Sequence, residues 1–349
     1  MARTVPRRHR TAGVALAVAL VLAAPGCAPQ AAPPERDTAA RAAQSAPNHP
    51  SRVVLISVDG LNPSAITKLG RARTPNLHRL LREGAGTLNG RTLVEKTITL
   101  PNHTGMLTGR RVDARHGGHG VTINHDPGTT VQRYAGEPVA SVFDEVDAAG
   151  GRTALYASKE KFKFFKRSWP ASIDRFVWRT SNAKLMRSLR AGLRSSPATL
   201  SFLHLSAPDV AGHAHGFMTP RYLDAVRQVD KLLGSLITTI RGTARLRSST
   251  AIVLTADHGG PRRHKLHSVR TVRANYRVPV LAWGPGVEHG NLYAMNRAFA
   301  SPGTARPSYA GKQPIRNGMV ANLALSLLGI DAVHGSTLDP QQKLQVHRR

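Results

Sequence analysis

The chain of 349 residues carries 49 Lys and Arg against 20 Asp and Glu, a net charge of +29, with a single cysteine and 5% aromatic residues. That length allows one large α/β domain with a sizeable core, and a single cysteine excludes a disulfide framework. Residues 1–50 hold six of the bases and two of the acids, so +25 remains on the rest; such a field gathers anionic substrates, polymers or headgroups, while scattered bases and few aromatics argue against specific nucleic-acid binding.

Residues 1–27 read as an export signal, with Arg3, Arg7, Arg8 and Arg10 ahead of an apolar stretch from Ala12 to Ala24 that ends at Pro25-Gly26-Cys27. The stretch is shorter than the roughly 20 residues a spanning helix needs. Cys27 stands where a bacterial lipoprotein signal places its acylated residue, although Ala24 stands where such signals carry leucine. Ordinary cleavage is the alternative, and Arg7-Arg8 fits a twin-arginine signal poorly. Either way the protein is expected outside the cytoplasm, in the envelope or beyond. Residues 28–50, rich in Ala, Pro, Gln and Ser, read as a flexible tether, 51–340 as the folded domain and 341–349 as a basic tail.

Arg52 to Val58 is an apolar run ending in Asp59-Gly60, which predicts a central strand and a tight loop. Thr74-Pro75 then opens a helix with leucines 77, 80 and 81 on one face, Thr74 as its N-cap and Gly84 as its stop. Thr153 to Ala157 predicts a strand leading into Ser-Lys-Glu-Lys-Phe, and Ala198 to Leu205 another leading into the Asp209 loop. Tyr222 to Ile240 has helical spacing, Ala251 to Leu254 and Val278 to Trp283 read as strands, and Met319 to Leu328 as a last helix. This alternation predicts a three-layer α/β/α sandwich around a mostly parallel sheet, with no internal repeat.

Five acidic and histidine residues follow these strands: Asp59, Asp209, His213, Asp257 and His258. In an open α/β sheet the loops at the carboxyl ends of strands form the ligand crevice, so the five gather at one edge. A lone Asp after a strand is more often a turn residue or helix cap, whereas five in register make a metal site. Nitrogen and carboxylate donors without thiolate suit zinc, with other divalent metals open.

The segments V-D-G, T-L-P-N-H-T, H-G-V-T-I-N, P-D-x-x-G-H and A-D-H-G, in that order over about residues 52–330, resemble the type I phosphodiesterase / nucleotide pyrophosphatase branch of the alkaline phosphatase superfamily. The resemblance implies an alkaline phosphatase-like fold, two zinc ions and a covalent phospho-threonine intermediate. Position by position it implies that Asp59, Thr99, Asp257 and His258 hold one ion and Asp209 and His213 the other. The last ligand of the second ion is a histidine after the Asp-His pair; His267 fits better than His264, and His289 and His334 sit in later turns. Thr99 would be the nucleophile, with Thr97 a near neighbour lacking the spacing to P-N-H, and Asn124 would donate to a non-bridging phosphate oxygen. For Thr99 the bland alternative is an N-cap.

Pro101 suits a first helical turn, which would put Thr99 at a helix N-terminus, and Asn102 reads as fixing the loop behind it. His119 belongs to a His-Gly turn, with His116 and His125 solvated, and Phe162, Phe164, Phe165 and Trp169 pack in a lid or core. Lys159 and Lys161 follow a strand and are candidates to contact substrate phosphate, loosely resembling the Lys-x-Arg pair of superfamily monoesterases; a basic solvated edge is the alternative. The readings that follow are a phosphodiester or nucleotide pyrophosphate hydrolase, a phosphomonoesterase at the same site, or a non-catalytic basic envelope protein. Sulfatase chemistry is disfavoured, since Cys27 lies in the signal. The leaving group and the oligomeric state are not encoded in any motif.

Overall fold

The computed structural model describes residues 49–347, and the expected signal, Cys27 and tether lie outside them. Its centre is an eight-stranded sheet of β1 (Arg52–Val58), β2 (Ala85–Arg91), β3 (Thr153–Ala157), β4 (Arg175–Trp178), β5 (Leu200–Leu205), β6 (Thr250–Thr255), β7 (Arg277–Trp283) and β8 (Gly290–Asn291). The order is β4-β3-β5-β1-β6-β7-β2-β8. Every neighbouring pair is parallel except the two that β7 makes, with β6 and β2.

β1 reads as a continuous apolar run because both sheet faces are covered. Val53 and Leu55 point into one core, with Leu155, Phe202 and Val253. Val54, Ile56 and Val58 point into the other, with Leu203, Leu205, Ile252 and Leu254. The first face is packed by α3 (Thr99–Thr108), α4 (Val142–Ala148) and α8 (Val320–Leu327). The second is packed by α1 (Pro63–Arg73), α2 (Pro75–Glu83), α5 (Asn182–Ser195) and α7 (Pro220–Gly242). The predicted three-layer sandwich is therefore the observed one. Among the described residues, no helix is long and apolar enough to cross a membrane.

Three expectations are corrected. Thr74 precedes α2, but its hydroxyl donates to Gly70 O at 2.9 Å and does not cap the helix. The orphan first-turn donors go instead to buried Asp230 of α7, whose Oδ1 accepts from Asn76 N at 3.1 Å and Leu77 N at 2.7 Å. The segment after residue 340 is not a free tail through its described part, because Leu344 and Val346 are buried in the first core. β2, β4 and the two-residue β8 were not predicted. Gly86, Asn89 and Gly90 interrupt the pattern of β2, which carries a register shift opposite Pro279 of β7, a residue with no N–H to offer the ladder. β4 is a short edge strand of partly exposed residues.

Candidate active site

β1, β5 and β6 are adjacent and parallel, with Ser57 level with Thr255 and Val58 with Leu205, so their carboxyl ends open on one edge. Asp59 follows β1 directly, Asp257 and His258 follow β6, and Asp209 and His213 lie on α6 (Ala207–His215) after β5. The loops are stitched together there: Asp59 N donates to Leu205 O at 2.9 Å and Asp209 N to Asp59 O at 3.1 Å. Gly60, at φ 70°, makes the tight turn; a Cβ there would lie 3.0 Å from the Asp209 Cα.

Asp59, Asp209, Asp257, His258 and His267 are all buried. Each carboxylate has one oxygen held by protein and one left over. Asp257 Oδ1 accepts from Gly60 N and His258 N, both at 3.0 Å, whereas Asp59 Oδ2 and Asp209 Oδ2 each take the Lys159 ammonium at 2.6 Å. The remaining oxygens, Asp59 Oδ1, Asp209 Oδ1 and Asp257 Oδ2, have no hydrogen-bond partner, nor has His258 Nε2. Four orphaned buried atoms cost several kcal/mol together unless something binds them.

Those atoms converge. His258 Nε2 lies 3.2 Å from Asp257 Oδ2, 3.4 Å from Asp59 Oδ1 and 3.8 Å from Asp209 Oδ1. His267 Nε2 lies 3.6 Å from Asp209 Oδ1 and 3.2 Å from His213 Nε2, which is itself 3.4 Å from Asp209 Oδ1. The Nδ1 atoms of His258 and His267 lie 2.8 Å from the carbonyls of Gly259 and Thr97, which fixes each Nδ1 as a donor and turns each Nε2 inward. Two overlapping groups result, Asp59–Asp257–His258 and Asp209–His258–His267, each with ligand atoms within 4.8 Å of one another. A cluster of carboxylate oxygens and imidazole nitrogens without thiolate fits a divalent metal.

The charges agree. Burial pushes Asp59 up, but the Lys159 ammonium, the bond from His204 and the nearby His258 ring outweigh it and hold it well below the usual carboxylate range. Burial and the neighbouring Asp59 charge push Asp257 well above it. His258 is raised to about 9 because Asp257, Asp59 and Asp209 override its burial, while burial beside His258 takes His267 down to about 2. The carboxylates thus draw positive charge into the site.

Thr99 is the first residue of α3 and is buried; its carbonyl lies 2.8 Å from His103 Nδ1. The Leu100 N–H donates to Asn124 Oδ1 at 3.1 Å, tying the first turn of α3 to the H-G-V-T-I-N loop and leaving the Asn124 amino group as its donor. Thr97 is committed elsewhere, donating to His267 O at 2.7 Å. Asn102 does fix the loop behind Thr99: its Nδ2 donates to Lys96 O and Ile98 O, and its Oδ1 accepts from Leu93 N. Lys161 Nζ reaches Asn124 O at 2.7 Å and Asn124 Oδ1 at 3.1 Å. The two lysines therefore both enter the site, but Lys159 is bound to carboxylates.

His264, His289, His334, His116 and His125 are exposed, and none belongs to either ligand group found among the described residues. His119 is buried, with Nδ1 accepting from Val121 N at 3.1 Å in its own turn. Phe162 is core, stacked on His204 at 4.2 Å. Sequence reasoning missed the supporting residues. His204 Nε2 lies 2.9 Å from Asp59 Oδ2; Asn317 Nδ2 bridges Asn102 Oδ1 and Ala256 O, both at 3.1 Å; Tyr222 OH donates to Gly60 O at 2.7 Å. His204 sits inside β5 and Asn317 just before α8, so no spacing rule points at either.

The profile of the type I phosphodiesterase / nucleotide pyrophosphatase family matches residues 53–301. Among curated proteins, GPI ethanolamine phosphate transferase 1 of Yarrowia lipolytica is 32% identical over 105 residues, covering 30% of this chain and 11% of the relative. Its namesake in Neurospora crassa is 26% identical over 208 residues, covering 56% and 20%. The chain thus spans a fifth or less of the length of these relatives. Among solved structures, murine ectonucleotide pyrophosphatase / phosphodiesterase 5, as an inactive T72A variant in complex with AMP, superposes with TM-score 0.60 at 14% identity, covering 84% of this chain and 99% of that one. The human protein of the same name gives 0.60 at 16%, with the same coverage. At such identities the likeness is one of fold.

Proposed function

The chain belongs to the type I phosphodiesterase / nucleotide pyrophosphatase family, and on that premise we propose that it is an exported zinc-dependent hydrolase that cleaves phosphodiester or nucleotide pyrophosphate bonds through a phosphorylated Thr99. The observation that carries the reading is the set of orphaned buried atoms of Asp59, Asp209, Asp257 and His258, gathered on the sheet edge where α3 begins with Thr99. Asp59, Thr99, Asp257 and His258 would hold one ion and Asp209, His213 and His267 the other; when bound, two zinc ions supply Lewis-acid stabilisation of phosphate charge and lower the pKa of the threonine hydroxyl.

The Thr99 oxygen attacks phosphorus in line, an Oγ–P bond forms, and the bond to the leaving oxygen breaks, that oxygen taking up a proton. Water then attacks the phospho-threonine and restores the hydroxyl. The N-terminal end of α3 faces negative charge favourably, and the Asn124 amino group, its oxygen engaged by the Leu100 N–H, is oriented to donate to a non-bridging oxygen. Lys159 holds Asp59 and Asp209 in mutual register. That the curated relatives are named for ethanolamine phosphate transfer supports a phosphoester as the bond handled.

A second reading, monoester hydrolysis at the same site, is favoured by Lys161, whose ammonium sits against Asn124 where it could meet a further phosphate oxygen. A non-catalytic envelope role is disfavoured, since a structural metal requires neither Thr99 nor Asn124. Export, with Cys27 acylated or the signal simply cleaved, and a catalytic unit that runs from 51 through the core residues Leu344 and Val346 are part of the proposal. The test is turnover of paired chromogenic mono- and diesters before and after chelation and zinc restoration, with Thr99→Ala alongside. Faster, zinc-restored diester cleavage that Thr99→Ala abolishes while zinc stays bound is the expected result; near-normal activity of Thr99→Ala removes the nucleophile, and faster monoester cleavage moves the function to a phosphatase.

A further inference from the structure

The large aliphatic side chains most exposed among the described residues are Leu266 at 71%, Val269 at 58% and Val210 at 56%. All three adjoin candidate ligands. Val210 follows Asp209 on α6, Leu266 precedes His267, and Val269 lies two residues beyond it. Leu266 and Val269 flank buried His267 in one loop, so two of the three sit together on the rim beside a candidate ligand, whereas Val210 lines a groove with Asn182 and Arg221.

The rim is also basic. Between His258 and Val287 the sequence has no Asp or Glu, while residues 261–273 carry Arg262, Arg263, Lys265, Arg270 and Arg273, all exposed. Among the described residues none of these five takes part in an ion pair. The loop itself is anchored: Arg263 N donates to Phe217 O at 2.8 Å, Phe217 N to His264 O at 2.9 Å, and Thr97 Oγ1 to His267 O at 2.7 Å. A fixed backbone therefore presents free cations and aliphatic knobs together, beside the crevice.

We propose that the loop 261–273 docks the mouth of this site onto an anionic lipid bilayer, so that the phosphate ester it receives is carried on a membrane lipid. Lysine and arginine would meet acidic headgroups while Leu266 and Val269 enter the interfacial layer between them. A nucleic acid would satisfy the charges alone. It would gain nothing from aliphatic knobs, and the segment 261–275 has no Phe, Tyr or Trp on which a base could stack. The substrate class rests on the phosphoester-hydrolase reading; the docking does not.

The docking test uses the full chain with Leu266→Trp as a depth reporter, mixed with vesicles of phosphatidylglycerol and phosphatidylcholine bearing brominated acyl chains. The exposed α5 position Arg187→Trp serves as the control. Fluorescence added at 266 is expected to be quenched, with apparent partition about tenfold stronger on the mixed vesicles than on pure phosphatidylcholine and lost near about 0.5 M NaCl, while that at 187 is not quenched. Equal quenching at both positions, or none at 266, overturns the proposal. So does displacement of the vesicles by single-stranded RNA with an affinity that Leu266→Ser leaves unchanged, since the loop would then be a polyanion binder.

The substrate arm compares wild type with Leu266→Ser/Val269→Ser on a soluble chromogenic ester and on the same ester carried by a vesicle lipid. A fall of about tenfold on the vesicle alone supports a membrane-borne substrate. A parallel fall on both overturns it. If wild type cleaves neither ester, the hydrolase reading fails while the quenching result stands.

Discussion

Replacing Asn102 by alanine should destabilise the domain by about 3 kcal/mol and cost activity beyond that. The side chain is fully buried and makes four bonds: Oδ1 accepts from Leu93 N and Asn317 Nδ2, both at 3.1 Å, and Nδ2 donates to Lys96 O at 2.9 Å and Ile98 O at 3.1 Å. Truncation spares two of the partners, because Asn317 still reaches Ala256 O and Ile98 O still accepts the Asn102 backbone N–H at 3.4 Å. The Leu93 N–H and the Lys96 carbonyl lose the partner they have, at about 1–3 kcal/mol each, within a total stability of roughly 5–15 kcal/mol. Urea unfolding should show a lower midpoint with unchanged m value. Asn102→Asp, which turns an oxygen toward two carbonyls, should be at least as damaging at neutral pH. The same loop carries Thr99, so turnover should fall while bound zinc is retained. A loss below about 1 kcal/mol, or a destabilised variant with full turnover when folded, would refute the assignment of Asn102 as the clamp of the nucleophile loop.

Three other outcomes are expected. Chelation should lower the thermal midpoint by about 5 °C or more, because an ion held at 100 times its dissociation constant contributes about 2.7 kcal/mol; a midpoint indifferent to chelator and zinc would mean the orphaned ligand atoms bind no metal. Asp230→Ala should cost about 2 kcal/mol in urea unfolding by stripping the first turn of α2 of the acceptor for Asn76 N and Leu77 N, whereas Thr74→Val should cost less, its hydroxyl bonding Gly70 O of α1 rather than a backbone N–H of α2. Arg167, which bonds both Asp126 oxygens at 2.8 and 2.9 Å, holds that carboxyl below its usual value. A depressed acid stabilises above its unfolded pKa and stops doing so as pH falls through the folded one; Arg167→Ala should therefore cost about 0.5–1 kcal/mol at neutral pH, and the deficit should close in acid, as pH–stability curves of the two proteins would reveal.

Much of the fold was legible in the chain because its strands are buried on both faces. Val53 to Val58 is apolar but for Ser57 and Ala251 to Leu254 is apolar throughout, and the residues that follow them include the acids of the candidate site. β2 was hidden because its glycines and asparagine tolerate a bulge opposite Pro279, and pairing with β7 decides that conformation against local preference. The direction of β7 was hidden for a similar reason, since a strand of one composition can pair either way. At the candidate site, Asp59, Asp209, His213, Asp257 and His258 were singled out by their place after strands, and Thr99, Asn124 and His267 by the resemblance of their motifs.

The sequence by itself determined which residues could carry charge, lone pairs and a nucleophilic hydroxyl, because those are properties of side chains and their place at element ends. Only the tertiary structure decided how they meet. It gave Lys159 to Asp59 and Asp209 rather than to open solvent, brought His204 and Asn317 from the middle of β5 and the approach to α8 to support loops far away in sequence, and set Leu266 and Val269 on the rim beside His267. Partnership between groups separated by 50 to 215 positions depends on strand order and on which lone pairs remain after burial, and neither is written in any local stretch of the chain.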